Sequence, residues 1–183
     1  MIRVAFQGEL GAFSEAAAVR LWAGARELLP RRTFAQVIRA VETGEADAGV
    51  LPVENRIAGP VPGSLAALHE AAVIEVVGSV VLPIRLHLLS LPQADLARLT
   101  RIASHPIALI QCRAFLGRLP GVATVAWYDT AGAARDVAAA RDPTFAAIAG
   151  LDAAERYGLA LLACDVQDHP DNHTRFIWIR RCT

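Results

Sequence analysis

The sequence predicts an α/β protein, and three observations carry that prediction. Short apolar runs rich in Val, Ile, Leu and Ala recur along the chain, separated by amphipathic stretches of helical period. Turn formers (Gly, Pro, Asn, Asp) stand at many of the junctions between them. No internal repeat, low-complexity tract or long linker breaks the alternation, and 183 residues suit one compact unit or two small lobes.

Taken in order, residues 2–7 read as a strand and 13–23 as an Ala-rich helix with its polar side chains clustered toward one face. Residues 27–30 make a short strand, and 33–43 place Phe34, Val37, Ile38 and Val41 at helical spacing. A buried strand at 48–53 and a helix at 64–72 follow. A long β-rich passage, 73–91, is broken by Gly78 and Pro83. The alternation then resumes with strand 101–103, helix 107–116, strand 122–127, helix 131–141, an apolar run at 145–149 and helix 151–157. Strands at 160–163 and 174–180 close the chain. The continuous passage near 76–81 predicts a crossover between two lobes, with 163–168 as the return. Lobe 1 is then 1–77 plus 167–183, and lobe 2 is 78–166. Two crossings leave a cleft, a usual place for a small ligand.

Composition removes several kinds of chemistry. The 18 basic residues balance 18 acidic ones, which argues against a nucleic-acid partner, since phosphate neutralisation needs a basic excess. All the basic residues are Arg, so a lysine Schiff base, a pyridoxal-phosphate aldimine and a P-loop lysine are excluded. The most apolar passage, 73–91, is interrupted by Glu75, Arg85 and His87 and does not span a bilayer. Residues 1–6 show no basic leader or apolar leader core, so a cytoplasmic protein without a membrane partner is expected. Cys112, Cys164 and Cys182 are odd in number and widely spaced, unlike a disulfide framework or a zinc site.

Polar residues gather at strand-to-helix turns. Gly8 and Gly11 permit a tight turn before Ser14, which can cap the following helix. Glu54-Asn55-Arg56 follows directly on a buried strand, Ser104-His105-Pro106 reads as a cap with proline in the first turn, and Asp129-Thr130 precedes another helix. Helix N-termini attract carboxylates and phosphates, so the candidate ligand is a small anion, although most such caps serve only their own helix. The tail 165–176 is the most polar segment. Its His169 and His173 lie across a proline rather than on one helical face, so an ordinary polar loop outweighs a metal site.

Together these segments resemble the catalytic domain of prephenate dehydratase and of the related arogenate dehydratases. The run Gly8-Glu9-Leu10-Gly11-Ala12-Phe13-Ser14 is similar to the family's opening motif, and Pro52-Val53-Glu54-Asn55 with Gly59 to its second. Ser104-His105-Pro106 with Ala108, Gln111 and Cys112 resembles the third. Thr130-Ala131, the run at 146–149, Tyr157-Gly158-Leu159, and Gln167-Asp168 with Asn172 and Thr174-Arg175-Phe176 recur in the family's order. Three positions depart from the pattern: Arg56 where Ser is usual, Ile107 where Gln is, and Gly132 where Glu is frequent. The similarity ends near Thr183, where family members usually continue into a small ACT domain that binds phenylalanine. Control by phenylalanine through such a domain is therefore not expected of this polypeptide.

The resemblance implies a two-lobed fold of the periplasmic-binding-protein-like type II class, with the active site in the interlobe cleft. It implies conversion of prephenate to phenylpyruvate in phenylalanine biosynthesis, without cofactor or metal, by a homodimer or higher homo-oligomer. Carried onto this sequence, Thr174 hydrogen-bonds the leaving hydroxyl and Arg175 binds a substrate carboxylate in two-pronged fashion. Asn55 and Gln111 fix the ring, and Glu54 orients Asn55 or serves as the acid if burial raises its pKa. Ser14, Ser104 and Thr130 add helix-terminal dipoles, and Phe176 packs near the ring or in the core. Alternatives are arogenate as substrate, which Arg56 disfavours by charge, a non-catalytic anion-binding module, and a metal-dependent hydrolase built on 165–173.

Overall fold

The computed structural model describes residues 1–22, 24 and 26–182. Ala23, expected as the last residue of the first helix, lies outside them. In chain order the elements are β1 (Ile2–Gln7), α1 (Phe13–Leu21), β2 (Arg26–Arg31), α2 (Phe34–Glu42), β3 (Ala48–Asn55), β4 (Gly59–Pro60), α3 (Pro62–Glu70) and β5 (Ile74–Pro83). They continue with β6 (His87–Ser90), β7 (Arg101–Ser104), α4 (Pro106–Gln111), α5 (Arg113–Leu116), β8 (Ala123–Ala126), α6 (Thr130–Ala140), β9 (Phe145–Ala149), α7 (Leu151–Tyr157), β10 (Ala160–Ala163) and β11 (His173–Arg181). The expected helix 107–116 is two helices, because the chain leaves helical geometry at Cys112.

The chain forms two compact units. The first comprises Met1–Glu9, Phe13–Pro83 and Asp171–Thr183, and the second Leu10–Ala12 and Ile84–Pro170. The β-rich passage is thus divided between them. β5 stays in the first unit through Pro83 because its ladder with β11 runs that far, His173 standing opposite Pro83. The expected division points near residues 77 and 167 fall inside these segments.

In the first unit the strand order is β2-β1-β3-β11-β5, with β4 folded back on β3. β1, β2 and β3 are parallel, and β11 is antiparallel to both β3 and β5. A strand buried on both faces needs no alternation, and β3 is accordingly a nearly continuous apolar run. One face packs on α2, where Val37, Ile38 and Val41 meet Leu51, Val53, Ile177 and Ile179. Contact here is close: a Cβ at Gly49 would lie 3.0 Å from both Ile179 Cγ1 and Val37 Cγ1. α2 begins at a capping box, Thr33 Oγ1 accepting from Gln36 N at 3.2 Å while Gln36 Oε1 accepts from Thr33 N. α1 packs against β1, β3, β5 and β11, and Trp22, just past its end, lies 4.1 Å from Trp178 by ring centroids.

In the second unit the order is β10-β6-β9-β7-β8. β7, β8 and β9 are parallel, and β6 is antiparallel to β9 and β10. α6 packs on β6, β7 and β9 through Ala133, Ala134 and Val137, with Asp129 as its cap. Leu10–Ala12 belongs here because Tyr157 Oη donates to the Leu10 carbonyl at 2.6 Å and Gly11 lies against Ala153. Among the described residues no helix is long and apolar enough to cross a membrane.

Candidate active site

The first unit brings Asn55 and Thr174 together. They stand opposite each other at the end of β3 and the start of β11, and Asn55 Nδ2 donates to Thr174 Oγ1 at 2.9 Å. The same amide donates to Asn172 Oδ1 at 2.8 Å and to the His173 carbonyl at 3.1 Å. On its other side, Asn55 Oδ1 accepts from the backbone of Ile57 and Ala58, closing an Asx-type turn. All three side chains, Asn55, Asn172 and Thr174, are buried, so the network is held in low dielectric and each bond orients its neighbour.

A backbone irregularity makes this pairing possible. Arg175 stands opposite Glu54 but Phe176 stands opposite Pro52, so Val53 is the extra residue of a β-bulge. Leu51 and Val53 both face the α2 core. In an unbroken strand Asn55, two residues on, would face that core too. The bulge turns Asn55 to the opposite face, where Thr174 and Phe176 lie. Phe176 itself is core, 2% exposed.

The bulge places Glu54 and Arg175 together on the other side. Arg175 Nη2 donates to Glu54 Oε2 at 2.8 Å, with the two side chains 51% and 54% exposed. Glu54 therefore lacks the burial that a role as proton-holding acid requires, and its carboxylate partners Arg175 rather than Asn55. The pair itself contributes about 0–1 kcal/mol, as exposed ion pairs do. Arg56 pairs with Asp171 at 2.7 Å, and Asp171 also meets His173 Nδ1 at 3.1 Å. The cation at position 56 is thus compensated where it stands, which removes the electrostatic reason for disfavouring a substrate with an amino group.

Ser14 is the second residue of α1 rather than its cap, and it is buried. In the second unit, Ser104 Oγ donates to the Ile148 carbonyl at 2.6 Å and ties β7 to β9. The cap of α4 is His105 instead, its Nδ1 accepting from Ile107 N at 3.3 Å. Burial lowers the pKa of His105, with Asp129 opposing, so the ring stays neutral and able to accept. Thr130 opens α6, whose cap is Asp129, Oδ1 accepting from Gly132 N at 2.5 Å. Gln111 is buried at the end of α4, and its carbonyl accepts from Asp168 N at 2.7 Å. Next to it the Cys112 thiol is pushed up to about 12 by burial, helped by Asp168, so it is inert as a nucleophile.

Sequence reasoning left Asn172 and His105 out of the site. Asn172 sits among the polar residues of the tail, two positions before Thr174, and only the fold shows which of them turns inward. Among the described residues no group of three His, Cys, Asp or Glu side chains is arranged to hold a metal ion.

Two α/β units of this topology define the periplasmic-binding-protein-like class. A periplasmic substrate-binding protein of an ABC transporter from Coxiella burnetii has a TM-score of 0.51 at 16% identity, over 98% of this chain and 84% of its own. That likeness concerns the fold alone. Within the class, a family model described as prephenate dehydratase matches residues 4–183, and the chain belongs to that family.

Arogenate dehydratase 1 of Petunia hybrida is 42% identical over 98% of this chain and 42% of its own length. Among solved structures, the prephenate dehydratase of Arthrobacter aurescens in complex with L-Phe has a TM-score of 0.90 at 31% identity, covering 100% of this chain and 61% of that one. GqqA, described as a quorum-quenching acylase, has a TM-score of 0.84 at 39% identity, covering 99% of this chain and 64% of that one. The chain thus spans only part of the length of each of these relatives.

Proposed function

We propose that this chain carries out the decarboxylating dehydration of prephenate to phenylpyruvate. Family membership supports the reaction class, and one observation carries the assignment of roles: Asn55 donates to Thr174 Oγ1. That bond occupies an acceptor position on the hydroxyl, and no described residue accepts the Thr174 proton. The proton is therefore available to the hydroxyl group that leaves the substrate ring, and donation from Asn55 polarises the O–H toward that use.

In the reaction, the bond from the ring to its carboxylate breaks and carbon dioxide departs. Its electron pair enters the ring, and the carbon–oxygen bond to the hydroxyl breaks, the departing hydroxide being stabilised by the hydrogen bond from Thr174 and taking a proton from solvent to leave as water. Aromatisation drives the step. Thr174 orients and polarises rather than ionises, because an alcohol is a weak acid. Arg175 takes a substrate carboxylate in competition with Glu54, which holds Nη2 and leaves Nη1 and Nε without a partner. Asn55 and Gln111 fix the ring, while the Ser104 hydroxyl is taken by the Ile148 carbonyl.

Arogenate is the second reading, which Arg56 does not disfavour because Asp171 compensates its charge. Side-by-side turnover of both compounds tests the proposal, following phenylpyruvate by its absorbance in alkali and phenylalanine by chromatography. Product from prephenate at the higher kcat/KM is expected. Product from neither overturns the reading, and preference for arogenate transfers it to that substrate.

A further inference from the structure

A groove of about 360 Å³ opens on the first unit where the edge strand β2 meets α2, within the roughly 300–1,000 Å³ that small-molecule sites occupy. Arg31 at the end of β2, Arg32 after it, Gln36 and Arg39 on α2, and Glu45 are among the residues that line it. Three guanidinium groups against one carboxylate leave this lining net positive. The groove lies on the side of the sheet that α2 covers, whereas the bulge at Val53 turns Asn55 to the opposite face.

The charged groups are held unequally. The Arg31 side chain is only 20% exposed; its Nη1 donates to the Pro30 carbonyl at 2.9 Å and its Nη2 to Glu45, whose side chain is 61% exposed. Glu45 thus brings a carboxylate oxygen to a mostly buried guanidinium from the solvent side, and an ion pair open to water at one end is cheaply exchanged. Arg39 is exposed, and its guanidinium has no partner among the described residues. Gln36 Oε1 accepts from the backbone of Arg32 and Thr33, which leaves the amide NH2 without an acceptor there. Surplus N–H donors on cations and an amide suit an oxyanion, since guanidinium groups pair with carboxylate and phosphate oxygens by charge-assisted hydrogen bonds.

We propose that this groove is an anion site of the first unit, separate from the candidate active site. It takes a small, multiply charged oxyanion, a phosphate or a tricarboxylate, on Arg39, Gln36 and Arg31, with Glu45 displaced. Glu45 is then the resident competitor that holds Arg31 until the anion arrives.

Calorimetry on the full chain with inorganic phosphate and with citrate, at constant ionic strength set by chloride, tests the proposal and tells the two oxyanions apart. Arg39→Gln is expected to weaken binding about tenfold, as loss of a hydrogen bond to a charged group does. Glu45→Gln removes the competitor and is expected to tighten binding severalfold. Arg175→Gln takes the same charge from the candidate active site and should leave binding within about threefold of wild type. Arg39 and Glu45 are both exposed, so melting temperatures near that of wild type are expected and show that these variants fold. No saturable binding of either anion up to about 10 mM overturns the proposal. So does binding that Arg39→Gln leaves unchanged, or that Glu45→Gln weakens. A loss in Arg175→Gln as large as that in Arg39→Gln also overturns it, because the anion would then answer to the candidate active site or to net charge alone. Turnover does not enter the readout, so failure of the dehydratase reading leaves this result standing.

Discussion

The two units use one strand plan with different contents at the same place. Read from the second parallel strand, the first sheet runs β2-β1-β3-β11-β5 and the second β8-β7-β9-β6-β10. At the end of the third parallel strand the first unit carries Asn55, bonded to Asn172 and Thr174 and raised out of the α2 core by the bulge at Val53. The second unit carries Ala149 there, buried in a strand with no polar residue at all. The topology fixes where a ligand-facing edge can be, and the side chains decide which unit does chemistry at it. In this chain the Asn55 amide and the Thr174 hydroxyl belong to the first unit, while the second holds the buried imidazole of His87 and the half-buried one of His105.

The largest expected effect breaks the first unit's network. Thr174→Ala is expected to lower prephenate turnover by about a hundredfold or more, with binding retained, because a hydrogen-bond donor positioned on charge that develops in the transition state contributes on that order. Asn55→Ala should lower it comparably, and the double variant no further than the worse single one, since the two groups act through one hydrogen bond. Additive losses in kcat would show that Asn55 and Thr174 work independently.

Much of this network is foreshadowed by residue type, and its geometry is not. Asn55 after an apolar run and Thr174 before one are visible as polar residues at strand ends. The bulge at Val53 is not, because it depends on how β11, more than a hundred residues later, registers on β3. For the same reason Glu54 reads as a buried acid candidate but lies exposed with Arg175. Ser104 reads as a cap, yet its hydroxyl is taken by the Ile148 carbonyl on a neighbouring strand. Gln111 is buried, and Asp168 of the returning segment, more than fifty residues later, donates to its carbonyl. The missing information in each case is a long-range contact.

A middle-sized effect compares packing in the two units. At Gly49 a Cβ would press on Ile179, Val37 and Val41 together, all in the core. At Gly132 it would come within 2.5 Å of the Tyr128 ring, which covers the first turn of α6 but is only half-buried. Gly49→Ala is therefore expected to cost about 2–3 kcal/mol of stability, near the upper range for overpacking. Gly132→Ala should cost about 1 kcal/mol, since Tyr128 can swing outward and alanine favours the helix. Denaturant midpoints measure both, and the reverse order would mean that the second unit is the less adaptable.

The smallest effect is the response to acid, which should reach the second unit first. Burial holds His87 and His105 below the ordinary histidine value of about 6.5, so between those lowered values and about 6.5 the unfolded chain binds protons that the folded chain does not. The stability they allow is complete above about pH 6.5 and is lost as the pH falls below it. In the first unit the shifted acid is Asp47, held below the usual carboxylate range by its hydrogen bonds from Arg3 and the charge beside it. Its contribution is complete above about pH 4 and is lost only as the pH falls through its own lower value. The second unit also has such a group, Asp142, lowered by hydrogen bonds from Thr144, so carboxylates do not separate the units and the histidines do. Hydrogen exchange followed by mass spectrometry at pH 7 and pH 5, corrected for intrinsic rates, should show protection falling in β7 and β9 while β1 and β3 keep theirs. Equal losses in the four strands would mean that the units unfold as one and that the two imidazoles do not distinguish them.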